Sequence, residues 1–316
     1  MLSFFYIRLE IMPNERSELH KRIDAGELIL IVEVSPRRSA DPATVRTVAR
    51  HYAGRVHALG VSDNRDGVCM SALAAASLVC SEGVEPILHM VTRDRNRIAL
   101  ISDCLGAAAL GIRNLFCTSG THQTLSGCSS AKNVFDIDST QLLQTIAGLA
   151  SGGYALGEKR LEAVPLFCLG GVAAPYADPM EMHLMRLAKK TKAGAHFLIT
   201  QPIFDFERFE AWWEEVSRRE LDKKVAILGG VRVLTDAETA TAYAARRPSP
   251  MVPTPTLERI ASKAEVAAQR AEGISIAVET IQRLSTWDGL RGFAISGGED
   301  DDAVLEVIEK SGLRTD

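Results

Sequence analysis

Eight short apolar runs recur along the chain, and each is followed by a longer segment in which apolar residues return every three or four positions. The runs are rich in Val, Ile and Leu and cover residues 28–34, 55–61, 86–91, 113–119, 165–171, 196–201, 225–230 and 292–296. Continuous apolar runs of this length are typical of parallel strands that are buried on both faces. Eight strand–helix units favour an α/β fold, a closed (β/α)8 TIM barrel, over an open doubly wound sheet.

The segments between the runs carry helix signals. Asp41 is an N-cap candidate for a helix over 40–53, with Pro42 in its first turn. Further helices are expected over 70–83, 96–111, 179–194, 206–221, 235–245 and 256–285. The Gly- and Ser-rich stretches around 126–130 and 150–157 are expected to be loops. Because no linker divides the chain, we expect a short N-terminal extension with a helix over 1–25 and a single barrel over 26–316.

Composition and charge exclude several function classes. The chain has 316 residues and a net charge of −4, so no basic footprint indicates nucleic-acid binding. No apolar run reaches the roughly 18 residues of a membrane span, and the N-terminus has neither a basic start nor a cleavage site, so we expect no membrane association. The six cysteines are scattered without a C-x-x-C pair. That pattern predicts reduced, mostly buried thiols, a cytoplasmic protein and no metal centre.

Common nucleotide and hydrolase motifs are missing from the chain. It contains no G-x-G-x-x-G after the first strand, no P-loop, no G-x-S-x-G and no H-E-x-x-H. In a (β/α)8 barrel the active site lies at the C-terminal ends of the strands. The candidate residues are therefore those that end the eight apolar runs.

Glu33 is the most informative of these residues because it lies within the otherwise apolar run LILIVEV. An unpaired buried carboxylate is costly. One interpretation is a general acid whose pKa is raised by burial. The other is an inward carboxylate that pairs with a basic residue from another strand.

Other strand ends carry weaker signals. Asp63 and Asn64 either tie down their loop or bind a ligand, and His89 is either a core residue or a catalyst. Gln201 offers a donor and an acceptor to the edge of a heterocycle, or ties a loop. Small residues over 117–121 and 170–175 suit the close approach of a flat or phosphorylated ligand. Most of the charged side chains over 92–97 are expected to be solvated, at the start of a helix.

Several segments together resemble methylenetetrahydrofolate reductases. They are IVEVSPRR, the SDN of the second strand, HMVTRDRN, LGAAALGIRNLFCTSG, KAGAHFLITQPIFD and EGISIAVETIQRL, and the resemblance runs through most of residues 26–312. It is closest to the short, single-domain bacterial type. It implies a flavoprotein barrel that uses FAD rather than FMN, with NADH or NADPH as electron donor. The implied reaction interconverts 5,10-methylenetetrahydrofolate and 5-methyltetrahydrofolate.

The resemblance also implies roles for individual residues. Glu33 matches the general acid that protonates the folate N10, and Gln201 matches a residue that hydrogen-bonds the pterin. The residues that match positions around the flavin are Asp63, Asn64, His89, Thr118, Ser119, Gly120, Ala174 and Lys190. No metal ligand is implied.

Departures from the family pattern leave part of the chemistry open. Thr121 stands in the substrate site where the family usually has Asp, and the lost negative charge favours the oxidative direction, from methyl- to methylenetetrahydrofolate. The late arginine that holds the folate tail in some members is not evident in FAISGGED. Two alternatives remain: a partner-dependent subunit that uses a non-nicotinamide electron carrier, and a flavin-free pterin methyltransferase barrel. A homo-oligomer and an electron-transfer partner are both compatible with the resemblance.

Overall fold

The computed structural model describes residues 15–152, 154–155, 159–246 and 251–315, and within them eight parallel strands close into a barrel. The strands are β1 (Ile29–Val34), β2 (Ala58–Val61), β3 (Pro86–Val91), β4 (Asn114–Thr118), β5 (Tyr154–Ala155), β6 (Lys159–Arg160), β7 (Cys168–Ala173), β8 (Phe197–Pro202), β9 (Ala226–Arg232) and β10 (Leu290–Ser296). The short β5 and β6 form a separate antiparallel pair. The other eight close in chain order, β10 pairing with β1. Each predicted run holds one barrel strand, which confirms the (β/α)8 barrel.

Helices cover the outside of the barrel and match most of the predicted segments. They are α1 (Glu18–Ala25), α2 (Ala43–Tyr52), α3 (Ala72–Ser81), α4 (Arg97–Ala109), α5 (Ser139–Gly152), α6 (Met180–Lys192), α7 (Phe206–Arg218), α8 (Ala237–Ala244), α9 (Thr254–Ala261), α10 (Val266–Leu284) and α11 (Asp301–Ser311).

Three details of the helix prediction are wrong. The segment 256–285 is two helices, α9 and α10, rather than one. Helix α5 continues to Gly152, so the predicted loop around 150–157 begins later, and residues 153 and 156–158 lie outside the described part of the chain. Pro42 rather than Asp41 occupies the N-cap of α2, although the Asp41 carboxylate accepts a hydrogen bond from the Ala43 N–H at 2.9 Å.

Alternation along the strands separates two apolar layers. On β1, Ile29 and Ile31 belong to the cluster inside the barrel, whereas Leu30 and Val32 pack in the layer that includes the surrounding helices. Side chains of β9 alternate in the same way, so Ala226 and Leu228 also lie inside the barrel. An inward position near the end of a strand therefore faces the mouth of the barrel.

Helix α1 packs against one end of the barrel interior. Leu19 is fully buried in the interior cluster, and its N–H donates to the Glu85 carboxylate at 3.0 Å. Ser17 donates to Asn114, the first residue of β4, at 2.6 Å. These contacts lie at the N-terminal ends of the strands, so the opposite, C-terminal end is the mouth that a ligand can reach. Residues 1–14 of the predicted extension lie outside the described residues.

No helix in the described part of the chain is long and apolar enough to cross a membrane.

The six cysteines are free thiols, but only Cys104, Cys117 and Cys168 are buried. The expectation of mostly buried thiols therefore holds for half of them. Burial raises the pKa of Cys117 to about 12, which keeps this thiol protonated and unreactive at neutral pH.

Candidate active site

Glu33 occupies the inward-facing register of β1 at the mouth of the barrel. It follows Ile29 and Ile31 by the strand period of two, and its side chain is 16% exposed. It pairs across the sheet with Gly60 of β2. A Cβ at Gly60 would lie 3.0 Å from Nε2 of His89 and 3.5 Å from Cγ of Glu33. The bare Gly60 therefore lets the Glu33 and His89 side chains converge across β2.

The carboxylate of Glu33 is paired with a basic group. Arg65, in the loop after β2, places Nη1 at 3.3 Å from Oε2 of Glu33. Nε2 of His89 lies 3.9 Å from Oε1, which is beyond hydrogen-bond distance. Glu33 is thus paired with a basic group, but the partner comes from the loop after β2 and not, as the second interpretation expected, from another strand.

The prediction of a raised pKa for Glu33 is wrong for this arrangement. Burial alone would raise the pKa of Glu33, but the charges of Arg65, His89 and Arg232 outweigh burial, and the pKa lies below its usual value. Burial lowers the pKa of His89 to about 4, so this ring is neutral near pH 7. The two arginines are therefore the groups that keep Glu33 ionised at neutral pH.

Two of the predicted site residues at the mouth carry a buried polar atom that has no hydrogen-bond partner among the described residues. One is Nε2 of His89, whose ring packs on Phe116 with the centroids 4.6 Å apart. The other is Oε1 of Gln201, near the end of β8, where the pairing with β9 is irregular. Unsatisfied buried polar atoms are costly, and a ligand that supplies the missing hydrogen bonds removes that cost.

Four of the residues predicted to hold a flavin, Thr118, Ser119, Gly120 and Ala174, lie at the ends of β4 and β7. The Thr118 and Ser119 hydroxyls accept from the backbone N–H groups of Gly120 and Ser139, and neither donates to a described residue. Their protons are free for a ligand, and Gly120 and Ala174 beside them are small, half-buried residues. The exception is Lys190, whose Nζ donates to the Val172 carbonyl at 2.6 Å, and burial lowers its pKa to about 8. That contact ties α6 to β7.

Asp63 and Asn64 serve as loop ties in the free protein. The buried Asp63 carboxylate accepts from the Val91 N–H at 3.0 Å and forms an ion pair with Arg95. Asn64 Oδ1 accepts from the Cys69 N–H at 3.3 Å. These bonds match the structural interpretation of the two residues, and their role toward a cofactor stays a prediction.

The expectation of a solvated helix start over 92–97 is wrong for two of its arginines. Arg93 is 2% exposed; it bonds to Asp94 and donates to the carbonyls of Asn64 and Thr121 at 2.9 and 3.0 Å. Arg95 bridges Asp63 and Asp103. We call Arg93 and Arg95, together with these partners, the loop knot. It joins the loops after β2, β3 and β4.

Thr121, placed in the substrate site by the resemblance, belongs to this knot through its backbone carbonyl. The nearby Asp94 carboxylate is paired with Arg93 and accepts from Nε2 of Gln123 at 2.7 Å. Asp94 therefore does not supply a free negative charge in place of the missing family carboxylate.

A cavity of about 990 Å³ opens beside Glu33, between the ends of β1, β2, β9 and β10. Arg65 and Arg232 line it, whereas Thr118, Ser119, Gly120, Ala174 and Lys190 do not. Arg232 was missed as a site residue. Side chains alternate along AILGGVR, so Arg232 faces inward like Ala226 and Leu228. This alternation is the sequence signal that could have identified Arg232.

No group of three or more metal-binding side chains occurs among the residues that the structure describes. The chemistry available at the mouth is therefore that of a carboxyl group, two guanidinium groups, a neutral imidazole and an amide.

The family model for methylenetetrahydrofolate reductase matches residues 18–312, nearly the whole barrel. The chain belongs to the methylenetetrahydrofolate reductase family. A curated family relative, described as a probable methylenetetrahydrofolate reductase (NADPH) of Caenorhabditis elegans, is 26% identical over 180 residues. The match covers 56% of this chain and 24% of the relative, so the chain spans about a quarter of that protein's length.

Solved structures share the barrel of this family member. An uncharacterized protein from Clostridium thermocellum that binds two copies of 5-methyl-5,6,7,8-tetrahydrofolic acid has a TM-score of 0.64 at 12% identity, covering 93% of this chain and 99% of that one. An F420-dependent secondary alcohol dehydrogenase, in complex with an F420-acetone adduct, has a TM-score of 0.53 at 9% identity, with 90% and 98% covered. At these identities the likeness concerns the fold alone.

Proposed function

We propose that the protein is a flavin-dependent oxidoreductase that interconverts 5,10-methylenetetrahydrofolate and 5-methyltetrahydrofolate. Family membership supports the reaction class. The observation that carries the assignment to this mouth is that the Glu33 carboxyl lies 3.9 Å from Nε2 of His89, a buried and unsatisfied atom, while Gln201 near the end of β8 carries a second such atom, Oε1. A pterin presents adjacent donors and acceptors that would satisfy both atoms.

In this proposal Glu33 gives a proton to the folate N10 as the five-membered ring opens and receives it as the ring closes in the oxidative direction. Gln201 binds the pterin edge and sets its orientation toward Glu33. His89, neutral at pH 7, accepts or donates one hydrogen bond without adding charge. Arg65 keeps Glu33 ionised, so in the reductive direction Glu33 first takes a proton from solvent as the substrate displaces or screens this cation.

The strand ends of β4 and β7 would hold FAD, with FMN as the less favoured cofactor. The free hydroxyl protons of Thr118 and Ser119 and the small residues Gly120 and Ala174 fit a flat, hydrogen-bonding ring. When bound, the flavin supplies hydride transfer to or from the folate carbon, with NADH or NADPH as the proposed donor. The chain's own contribution is to orient both rings and to supply the proton.

We also propose that Thr121 favours oxidation of methyltetrahydrofolate. A carboxylate at this position would disfavour an anionic reduced flavin, and neither Thr121 nor the paired Asp94 supplies one. Thr121→Asp should lower the flavin potential, as measured by redox titration of the two proteins. An equal or higher potential in the variant would show that this position does not set the direction.

The visible spectrum of the purified protein tests the proposed function. A flavin band should be present, and anaerobic addition of 5-methyltetrahydrofolate should bleach it. A colourless protein that takes up neither FAD nor FMN would contradict the flavin assignment and favour the methyltransferase alternative. Co-purification with a second, electron-carrying chain and no reaction with NADH or NADPH would favour the partner-dependent alternative.

Glu33→Gln tests the proton donor separately. The amide keeps the size of the side chain but has no acidic proton, so folate turnover should fall by about 100-fold or more while flavin stays bound. Reduction of the flavin by its own donor should be nearly unchanged. If Glu33→Gln turns over folate at the parental rate, Glu33 is not the proton donor and its role is limited to the ion pair with Arg65.

A further inference from the structure

Strand β8 carries a bulge where it reaches the mouth of the barrel. Ile199 pairs with Leu228 of β9 in the regular part of the ladder. The next pair joins Pro202 to Gly230, so three steps along β8 match two steps along β9. A bulge of this kind re-aims the side chains of the residues within it. The direction of the Gln201 side chain therefore depends on how the bulge is held.

The Thr200 hydroxyl bonds to both strands at the bulge. Its Oγ1 accepts a hydrogen bond from the Gly230 N–H at 2.8 Å. It donates to the backbone carbonyl of Gln201 at 2.9 Å. Pro202 has no N–H and cannot donate to the ladder at this point. One side chain thus links β9 to the peptide group of the residue that is proposed to bind the pterin.

Gly230 lets the bulged backbone lie directly against β9. A Cβ at this position would overlap the Thr200 carbonyl oxygen and lie 3.0 Å from the Gln201 carbonyl carbon. The backbone N–H of Ile203, just beyond the bulge, donates to the Gly230 carbonyl at 2.9 Å. Backbone contact and the Thr200 hydroxyl together fix the path of the chain on both sides of Gln201.

Thr200 and Gln201 differ in what they can offer a ligand. Thr200 is 4% exposed, and its single hydroxyl proton is already donated. Gln201 is half-buried, and its Oε1 has no partner among the described residues. Thr200 can therefore influence a ligand only through the residue that follows it.

We propose that Thr200 is a positioning residue, whose hydroxyl holds the bulge of β8 so that the Gln201 amide is presented to the pterin. This inference rests on the proposed function, in which Gln201 binds the pterin edge. An amide on a loosely held strand end loses backbone freedom when it binds, which weakens affinity. A bulge that is fixed before binding avoids that loss, so the Thr200 hydroxyl contributes affinity without touching the ligand.

Titration with 5-methyltetrahydrofolate tests the role of the hydroxyl. Thr200→Val keeps the branched shape but removes the hydroxyl, and it should weaken binding by about tenfold. Thr200→Ser keeps the hydroxyl and should bind within about twofold of the parent. The control is Thr280→Val, which removes the hydroxyl of another buried threonine, bonded to the Ile276 carbonyl in α10. It should leave the affinity unchanged.

Two further measurements separate positioning from a general structural role. In a Gln201→Ala background, Thr200→Val should cause no further loss of affinity, because the positioned amide is gone. Hydrogen exchange at the Gly230 amide should be faster in Thr200→Val than in the parent and in Thr200→Ser, since only Thr200→Val lacks the acceptor.

An unchanged affinity in Thr200→Val, or a full tenfold loss that persists in the Gln201→Ala background, would overturn the proposal. A tenfold loss in Thr200→Ser would overturn it as well, and this result can be obtained even if Thr200→Val does not fold. A parent protein that fails to bind 5-methyltetrahydrofolate would contradict the proposed function and this inference together. A parent that binds it, followed by any of the contrary results, contradicts this inference alone.

Discussion

The ion pair between Arg65 and Glu33 sets the acidity of the proposed proton donor. Arg65→Gln removes a cation whose Nη1 lies 3.3 Å from the Glu33 carboxylate and leaves Arg232 as the remaining basic neighbour. At this distance two unit charges interact by about 1.3 kcal/mol in bulk water and by about 5 kcal/mol at an effective dielectric constant near 20. Because the Arg65 side chain is 43% exposed, solvent screens it and the smaller value is the better guide.

An interaction of about 1.3 kcal/mol corresponds to a pKa change of about one unit, which lies at the lower end of the range for a neighbouring cation. The pKa of Glu33 should therefore rise by about one unit in Arg65→Gln. Burial raises the pKa of Glu33, and without Arg65 fewer charges oppose that effect, so Glu33 titrates closer to neutral pH. Because a proton donor loses activity as pH rises through its pKa, the basic limb of the folate-dependent rate should move upward in pH by the same amount.

The assay is carboxyl-carbon NMR of glutamate-labelled protein, with Glu33 identified from the resonance lost in Glu33→Gln. Arg55→Gln is the matched control, since it removes one exposed arginine charge far from Glu33 and should leave the titration unchanged. If Glu33 titrates at the same pH in the parent and in Arg65→Gln, the arginine does not control its acidity. The reasoning from the ion pair would then be refuted.

Two further substitutions test other contacts. Gln201→Ala should weaken binding of 5-methyltetrahydrofolate by about 1–3 kcal/mol, measured by titration, because it removes the amide whose Oε1 has no partner among the described residues. The control Gln141→Ala alters an exposed amide at the start of α5 and should leave the affinity unchanged. Equal affinities in the parent and Gln201→Ala would show that Gln201 has a structural role and does not bind the pterin. Arg93→Met should lower the free energy of unfolding in urea by about 3–5 kcal/mol, since it removes the cation beside Asp94 and leaves two carbonyls without this donor. Arg97→Met, which breaks an exposed pair with Asp136, should lower the free energy of unfolding far less. Equal losses in the two variants would show that the loop knot adds no special stability.

The barrel could be predicted from sequence because a strand buried on both faces must be apolar throughout. All eight runs stand out for that reason, and Glu33 stands out as the exception within one of them. The break between α9 and α10 was not visible, since residues 262–265 contain neither Gly nor Pro and the helical pattern continues across them.

The site was predictable only where one strand carries the signal. Glu33, His89 and Gln201 each mark their own strand end, but the cation that pairs with Glu33 comes from a loop whose path the sequence does not specify. Arg93 was assigned to solvent because charged loop residues usually lie there. Its burial depends on carbonyls from two other loops converging on one guanidinium group, which only the assembled barrel provides.

The loop knot divides the mouth of the barrel into two unequal halves. The loops after β2, β3 and β4 are cross-linked by Arg93 and Arg95, so their conformational entropy is lost when the chain folds. When a rigid ring docks on this half, the loops lose little further conformational entropy. The preformed loops also fix the orientation of the bound ring. The half between β9 and β1 holds the cavity and opens outward. A ligand can therefore carry tails of different length through the open half without disturbing the geometry of its head group, so one mouth can accept a series of homologous substrates at a constant reacting distance.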